Sequence, residues 1–155
     1  MANDQPDTAA ELRARALRLL ARREHSRAEL GRKLGPHAGS SEVVAGVLDA
    51  LVQKKQLSDE RYAEERARTL SRKYGAARIR HDLKAKGVDA ELIGRASANC
   101  GAEGELERAR GILDRKYRVP AATRNERAKR MRFLHGRGFS GDVIHQLLKG
   151  RLDGE

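Results

Sequence analysis

Two short stretches, some fifty residues apart, limit what this chain can fold into. Leu83-x-x-Lys86-Gly87-Val88 and Leu134-x-x-Arg137-Gly138-Phe139 each read as the end of an amphipathic helix closed by a glycine stop. Ahead of the first, Gly75, Ile79 and Leu83 repeat the spacing of Ser26, Leu30 and Leu34. A chain that reuses one short helix at a fixed interval is a tandem array, because a unit of some fifty residues buries too little apolar surface to stand comfortably alone.

Helix punctuation fills in the array. Thr8 with Glu11, Ser26 with Glu29 and Thr123 with Glu126 have the capping-box form. Ser58, Asp89 and Ser140 are further N-cap candidates, and Gly35, Gly75, Gly87 and Gly138 fall where segments should stop. This punctuation predicts helices near 9–24, 27–34, 41–54, 59–73, 76–86, 90–98, 103–117, 124–135 and 141–149. Apolar stripes support them: Val43, Val44, Val47, Leu48 and Leu51; Leu106, Ala109, Leu113 and Tyr117; Val143, Ile144, Leu147 and Leu148. Strand-type alternation over a useful length is missing. The expectation is an all-α chain of three tandem three-helix repeats, 10–56, 57–101 and 102–150, behind a disordered tail at 1–9. Gly35 to Ser41 and Arg118 to Ala122 are expected to be flexible surface linkers.

Charge narrows the partners. The net charge is +11 with a pI near 10.4, which draws the protein toward polyanions. The only aromatics are Tyr62, Tyr74, Tyr117, Phe133 and Phe139, too few to suggest a base-stacking platform. On a helical wheel Ala76, Ile79 and Leu83 share one arc, and Arg78, Arg80, His81 and Lys84 spread over the other, continuing from Arg72 and Lys73. Lys86 follows at the stop. In the third unit Ala128, Met131 and Leu134 are read as the buried arc. Arg127, Lys129, Arg130 and Arg132 are read as basic surface, with Arg137 beyond and Phe133 among them. Phe133 is expected to pack on a neighbouring helix, the alternative being an exposed anchor. For the basic clusters the plain alternative is solvated helix surface.

Nothing in the chain points to catalysis. Asp59-Glu60 and Glu64-Glu65 suit helix ends and i,i+4 pairs. His25, His37, His81, His135 and His145 form no H-x-x-x-H pair, and no G-x-x-x-x-G-K-[ST] loop occurs. Cys100, the lone cysteine, excludes an intramolecular disulfide and reads as a packing or loop thiol. A polar, acidic start without an apolar core predicts no secretory signal, so a cytoplasmic protein without cofactors is expected.

The residues resemble the RecX regulators of the RecA recombinase. Unit one carries Arg23-x-x-Ser26-x-x-Glu29-Leu30-x-x-Lys33-Leu34. Unit two carries Leu57-x-Asp59-x-Arg61-Tyr62-Ala63, then Gly75-x-x-x-Ile79-x-x-x-Leu83-x-x-Lys86-Gly87-Val88. Unit three carries Phe133-Leu134-x-x-Arg137-Gly138-Phe139-Ser140. The resemblance runs from about residue 12 to 149. It implies an elongated, curved molecule that binds along the RecA–DNA filament and lowers its ATP hydrolysis and strand exchange in recombination and repair. Contacts to single- and double-stranded DNA phosphates, no membrane and a monomeric state go with that reading. Arg72, Lys73, Arg78, Arg80, Lys84, Lys86, Arg127, Lys129, Arg130, Arg132, Phe133 and Arg137 are the candidate contact residues. The rival reading is a basic helical DNA- or RNA-binding protein without a protein partner.

Overall fold

The computed structural model describes residues 4–98 and 102–149. Over them run α1 (Ala9–Arg22), α2 (Arg27–Leu34), a single 3-10 turn (Gly35–His37), α3 (Ser41–Gln53), α4 (Asp59–Leu70), α5 (Ala76–Ala85), α6 (Ala90–Ala98), α7 (Ala102–Lys116), α8 (Arg124–Gly136) and α9 (Gly141–Lys149). Every helix expected from the sequence is present among them. Cys100 lies outside the described residues.

Side-chain oxygens start the helices as expected. Ser58, Asp89 and Ser140 accept from the amides of Arg61, Leu92 and Val143. Of the three proposed capping boxes, only Thr123–Glu126 is reciprocal. Thr8 and Ser26 accept from the Glu11 and Glu29 amides, but Glu11 turns back onto the Thr8 hydroxyl and Glu29 pairs with Arg23 instead.

Three separate cores follow from three apolar stripes. Leu12, Leu30, Leu34 and Leu51 anchor the first; Ile79 and Leu83, with Tyr62 and Ala67, the second; Leu113, Leu134, Phe139 and Leu147 the third. All the substantial helix–helix contacts lie inside a unit: α1–α3, α4–α6 or α7–α9. The exposed area is 10317 Å², whereas a compact protein of 17.2 kDa would show about 7,800 Å². Three small units with separate cores contribute to the excess.

Several details correct the sequence reading. Met131, placed on the buried arc of α8, is 43% exposed, while Arg130, placed on the basic surface, is 6% exposed. Counting back four residues from the matched leucines explains it. Leu30 precedes Leu34, Ile79 precedes Leu83, and Arg130 precedes Leu134, so Arg130 fills a core position. Its Nη2 donates to the Val119 carbonyl at 2.7 Å and its guanidinium stacks 4.6 Å above Tyr117. The Arg118–Ala122 linker, expected to be flexible, is thereby tied to α8. The first linker is also tied: the Asp7 amide donates to the His37 carbonyl at 2.8 Å, and Arg15 pairs with Asp7 at 3.0 Å. Asp7 falls within the stretch expected as a tail, and α1 already begins at Ala9. Gly35 continues as a right-handed turn, whereas Gly87 and Gly138 have φ of +79° and +87° and end their helices in the left-handed region.

Candidate interaction surface

The units meet at two seams built from the same parts. In each, the start of one short helix sits on the glycine turn that ends the next. At the first, the Ser26 hydroxyl donates to the Lys86 carbonyl at 2.7 Å while accepting from the Glu29 amide. A Cβ on Gly87 would come within 2.5 Å of the Ala28 methyl. At the second, the Gly75 amide donates to the Arg137 carbonyl at 2.8 Å and the Ala77 amide to the Gly138 carbonyl at 3.2 Å. A Cβ on Gly75 would lie 2.4 Å from the Gly138 oxygen. Glycine is therefore required at Gly75 by close approach and not by its own φ of −84°.

Ionic chemistry separates the two seams. Around the first, acids and bases are matched. Arg61 pairs with Glu24 at 2.9 Å, and the Arg27 amide donates to Asp59 at 2.7 Å, both crossing from unit to unit. Arg23 pairs with Glu29, Lys33 lies 3.6 Å from the same carboxylate, and Arg66 forks onto Asp82 at 2.9 and 3.2 Å. Desolvation opposes charge on the buried Glu29, but the Arg23 hydrogen bond and the nearby cations hold its pKa down at about 2. His25 is buried and its pKa is lowered, first by that burial. Its Nδ1 donates to the Arg23 carbonyl, leaving Nε2 to accept from Lys33 at 2.9 Å. Burial, with the field of Glu29, raises Tyr62 to about 12. The polar residues of the family-like motif in unit one, Arg23, Ser26, Glu29 and Lys33, thus form one hydrogen-bonded cluster with His25.

The second seam opens into a cleft of about 610 Å³ lined by Arg72, Lys73 and Tyr74 on one side and Ile112, Arg115, Lys116, Phe133 and Arg137 on the other. No ion pair among the described residues involves a lining side chain. The cations rest on rings and carbonyls. Arg137 lies 5.4 Å above Tyr74 and 5.2 Å above Phe133, Lys116 lies 4.3 Å above Phe133, and neighbouring Arg78 lies 4.8 Å above Tyr74. Arg137 donates to the Lys73 carbonyl and Arg115 to the Arg72 carbonyl, each at 3.4 Å. Glu105, a carboxylate at this seam, accepts from the Ala76 amide.

The candidate residues are distributed unequally. Arg72, Lys73, Phe133 and Arg137 meet in the cleft, with Arg78 at its edge. Phe133 packs edge-on against Tyr117 at 5.9 Å, as the packing reading expected. Arg80, Lys84, Lys129 and Arg132 are exposed and do not line the cleft, and Arg127 is half-buried. Lys86 belongs to the first seam, where it lines a mixed-charge cleft with Arg23, Glu29 and Tyr62. Tyr74, Arg115 and Lys116 had no signal in a single-helix wheel, because they are brought together only by the seam.

Comparison with known proteins follows the same division into three. The RecX first, second and third three-helix domains match residues 13–51, 58–96 and 103–148 respectively. The chain belongs to the RecX family. It is 43% identical over 149 residues to the regulatory protein RecX of Leptothrix cholodnii, covering 96% of this chain and 93% of that one. It is 39% identical to the RecX of a Neisseria meningitidis serogroup C strain, over 92% of both chains. The crystal structure of RecX from Lactobacillus salivarius superposes with a TM-score of 0.81 at 22% identity, covering 92% and 95% of the two chains. A second crystal structure of a RecX regulatory protein gives 0.75 at 25% identity, over 92% of this chain and 73% of that chain. The RecX family consists of non-enzymatic regulators, and no helix among the described residues is long and apolar enough to cross a membrane.

Proposed function

We propose that this chain regulates the RecA recombinase by lying along the RecA–DNA filament as a monomer and lowering its ATP hydrolysis and strand exchange. Family membership supports the partner. The observation that carries the mode of binding is the unmatched basic surface of units 2 and 3, next to a first seam whose charges are already paired. Phosphates and acidic side chains along a filament would supply the missing counter-charge. Regulation then follows from differential binding: contacts that favour one filament state draw population away from the hydrolysing one.

Arg80, Lys84, Lys129 and Arg132 carry the outer part of this surface. Arg80→Glu with Lys84→Glu, and Lys129→Glu with Arg132→Glu, should change folding stability by under about 0.5 kcal/mol because all four are exposed. Each pair should weaken inhibition of RecA ATPase on single-stranded DNA at fixed salt. If both pairs inhibit like the parent protein, these faces are only solvated surface. DNA binding through about six phosphates should weaken about a thousandfold between about 50 and 200 mM salt. Inhibition that disappears in step with bare-DNA binding would instead indicate a nucleic-acid binder without a protein partner.

A further inference from the structure

We propose that the cleft between units 2 and 3 binds the backbone of a single nucleic-acid strand, and that the bound strand locks these two units together. This rests on the reading above that the chain touches nucleic acid, and adds where the strand lies and what it does to the protein. The two walls belong to different units: Arg72 and Lys73 come from unit 2, and Arg115, Lys116 and Arg137 from unit 3. Empty, the walls carry like charge across a seam. A polyanion between them turns that repulsion into attraction on both sides, so binding and closure of the seam are linked.

The side chains suit phosphodiesters. Arg115 and Arg137 each use a donor on a backbone carbonyl, and a guanidinium has five. Aromatic stacking already orients Arg137 and Lys116. The guanidinium planes of Arg78 and Arg137, held on the Tyr74 and Phe133 rings, offer bases their outer faces for stacking without sequence preference, which an acidic peptide would not use. A duplex keeps its bases paired and stacked on one another, so only a single strand can lay base faces on the walls of this cleft of about 610 Å³.

Two backbone amides report the lock directly, since those of Gly75 and Ala77 donate across this seam. The Arg27 amide, which donates across the other seam, is the internal control. Binding of a labelled oligothymidylate to the full chain would be followed by anisotropy, and exchange of these amides by NMR, with and without the strand. Saturation should slow Gly75 and Ala77 by about tenfold or more and leave Arg27 unchanged. Arg115→Ser with Lys116→Ser should bind about tenfold more weakly and lose the slowing, whereas Arg18→Ser with Arg22→Ser, exposed on unit 1 and away from the cleft, should keep it. A strand that binds without slowing Gly75 and Ala77 refutes the lock. Unchanged binding by the Arg115/Lys116 variant puts the site elsewhere. Equal slowing by polyglutamate, or by a hairpin duplex, refutes the single-strand assignment. If no strand binds at all, DNA contact falls with this proposal, while RecA ATPase inhibition still tests the regulator reading separately.

Discussion

The seam between units 1 and 2 and the seam between units 2 and 3 repeat one backbone arrangement with opposite side-chain chemistry. Each sets a helix start on a left-handed glycine turn. The first surrounds that contact with matched pairs such as Arg61–Glu24 and Arg23–Glu29. The second surrounds it with cations held by Tyr74, Phe133 and carbonyls. Repeat geometry thus fixes how neighbours dock, and the side chains around the docking point decide what each seam does. A matched seam is self-sufficient, whereas an unmatched one has capacity for an outside anion.

The largest test of this contrast lies in the glycines. At the second seam a new Cβ on Gly75 would run into backbone, with the Gly138 oxygen at 2.4 Å and its carbon at 2.6 Å. Gly75→Ala should therefore pry units 2 and 3 apart, cost roughly 3 kcal/mol, and break both backbone hydrogen bonds across the seam. Calorimetry should show unit 3 melting as a separate transition. Gly87→Ala meets a single methyl at the first seam, that of Ala28 at 2.5 Å, so a local shift of the α2 start adds to the cost of about 1–2 kcal/mol for a left-handed alanine. Equal melting of the two variants would show that the second seam is not the closer-packed one.

Acid should act on the other seam first. Glu29 is depressed to about 2 and His25 is lowered from 6.5. A depressed folded pKa contributes stability above the unfolded value and loses it as pH falls through the folded one. For His25 that loss begins as pH drops below 6.5, and for Glu29 it runs from about 4.5 down to about 2. After discounting for the half-exposed Arg23 end of the pair, Glu29 should contribute on the order of 2 kcal/mol. Exchange of the Arg27 amide should accelerate through this window before that of Gly75 or Ala77. Glu29→Gln should flatten the acid dependence below about pH 4.5, where the carboxylate would otherwise protonate. A chain whose second seam opens first in acid would reverse the assignment.

Helices and cores were legible in the sequence because caps and stripes are local. Ser58, Asp89 and Ser140 act within three residues of themselves, and Leu83 and Leu134 follow the helical period. The seams were not, since Ser26 and Lys86 meet only after two units have folded. The same reason hid Arg115 and Lys116, which neighbour Arg72 and Phe133 in space and not in sequence. Arg130 was misplaced by a wheel that took Ala128 and Met131 as the apolar arc. Aligning it with Leu30 and Ile79 across the repeat points to the core, although a buried cation needs the Val119 carbonyl and the Tyr117 ring to be tolerated there. Glu29 departed from its capping role because Arg23 offers a stronger, charged partner.

Salt should produce the smallest effect and the clearest difference in sign. Raising a simple salt from about 20 to about 300 mM shortens the screening length from roughly 20 to roughly 6 Å. At the second seam salt screens the longer-range repulsions among Arg72, Lys73, Arg115, Lys116 and Arg137 more than the short contacts of Arg137 and Arg115 to Tyr74 and the Lys73 and Arg72 carbonyls, so the units should close more tightly and Gly75 and Ala77 should exchange more slowly. Exposed attractions such as Arg61–Glu24 weaken under the same change, so Arg27 exchange should rise or stay level. Each shift should be under about 1 kcal/mol, since surface charges interact weakly through water. Sodium chloride and sodium sulfate at matched ionic strength separate screening from anion binding: equal slowing points to screening, and greater slowing by sulfate to occupation of the cleft. Parallel acceleration at both seams would mean that charge attraction outweighs repulsion at the second as well, and the contrast between them would disappear.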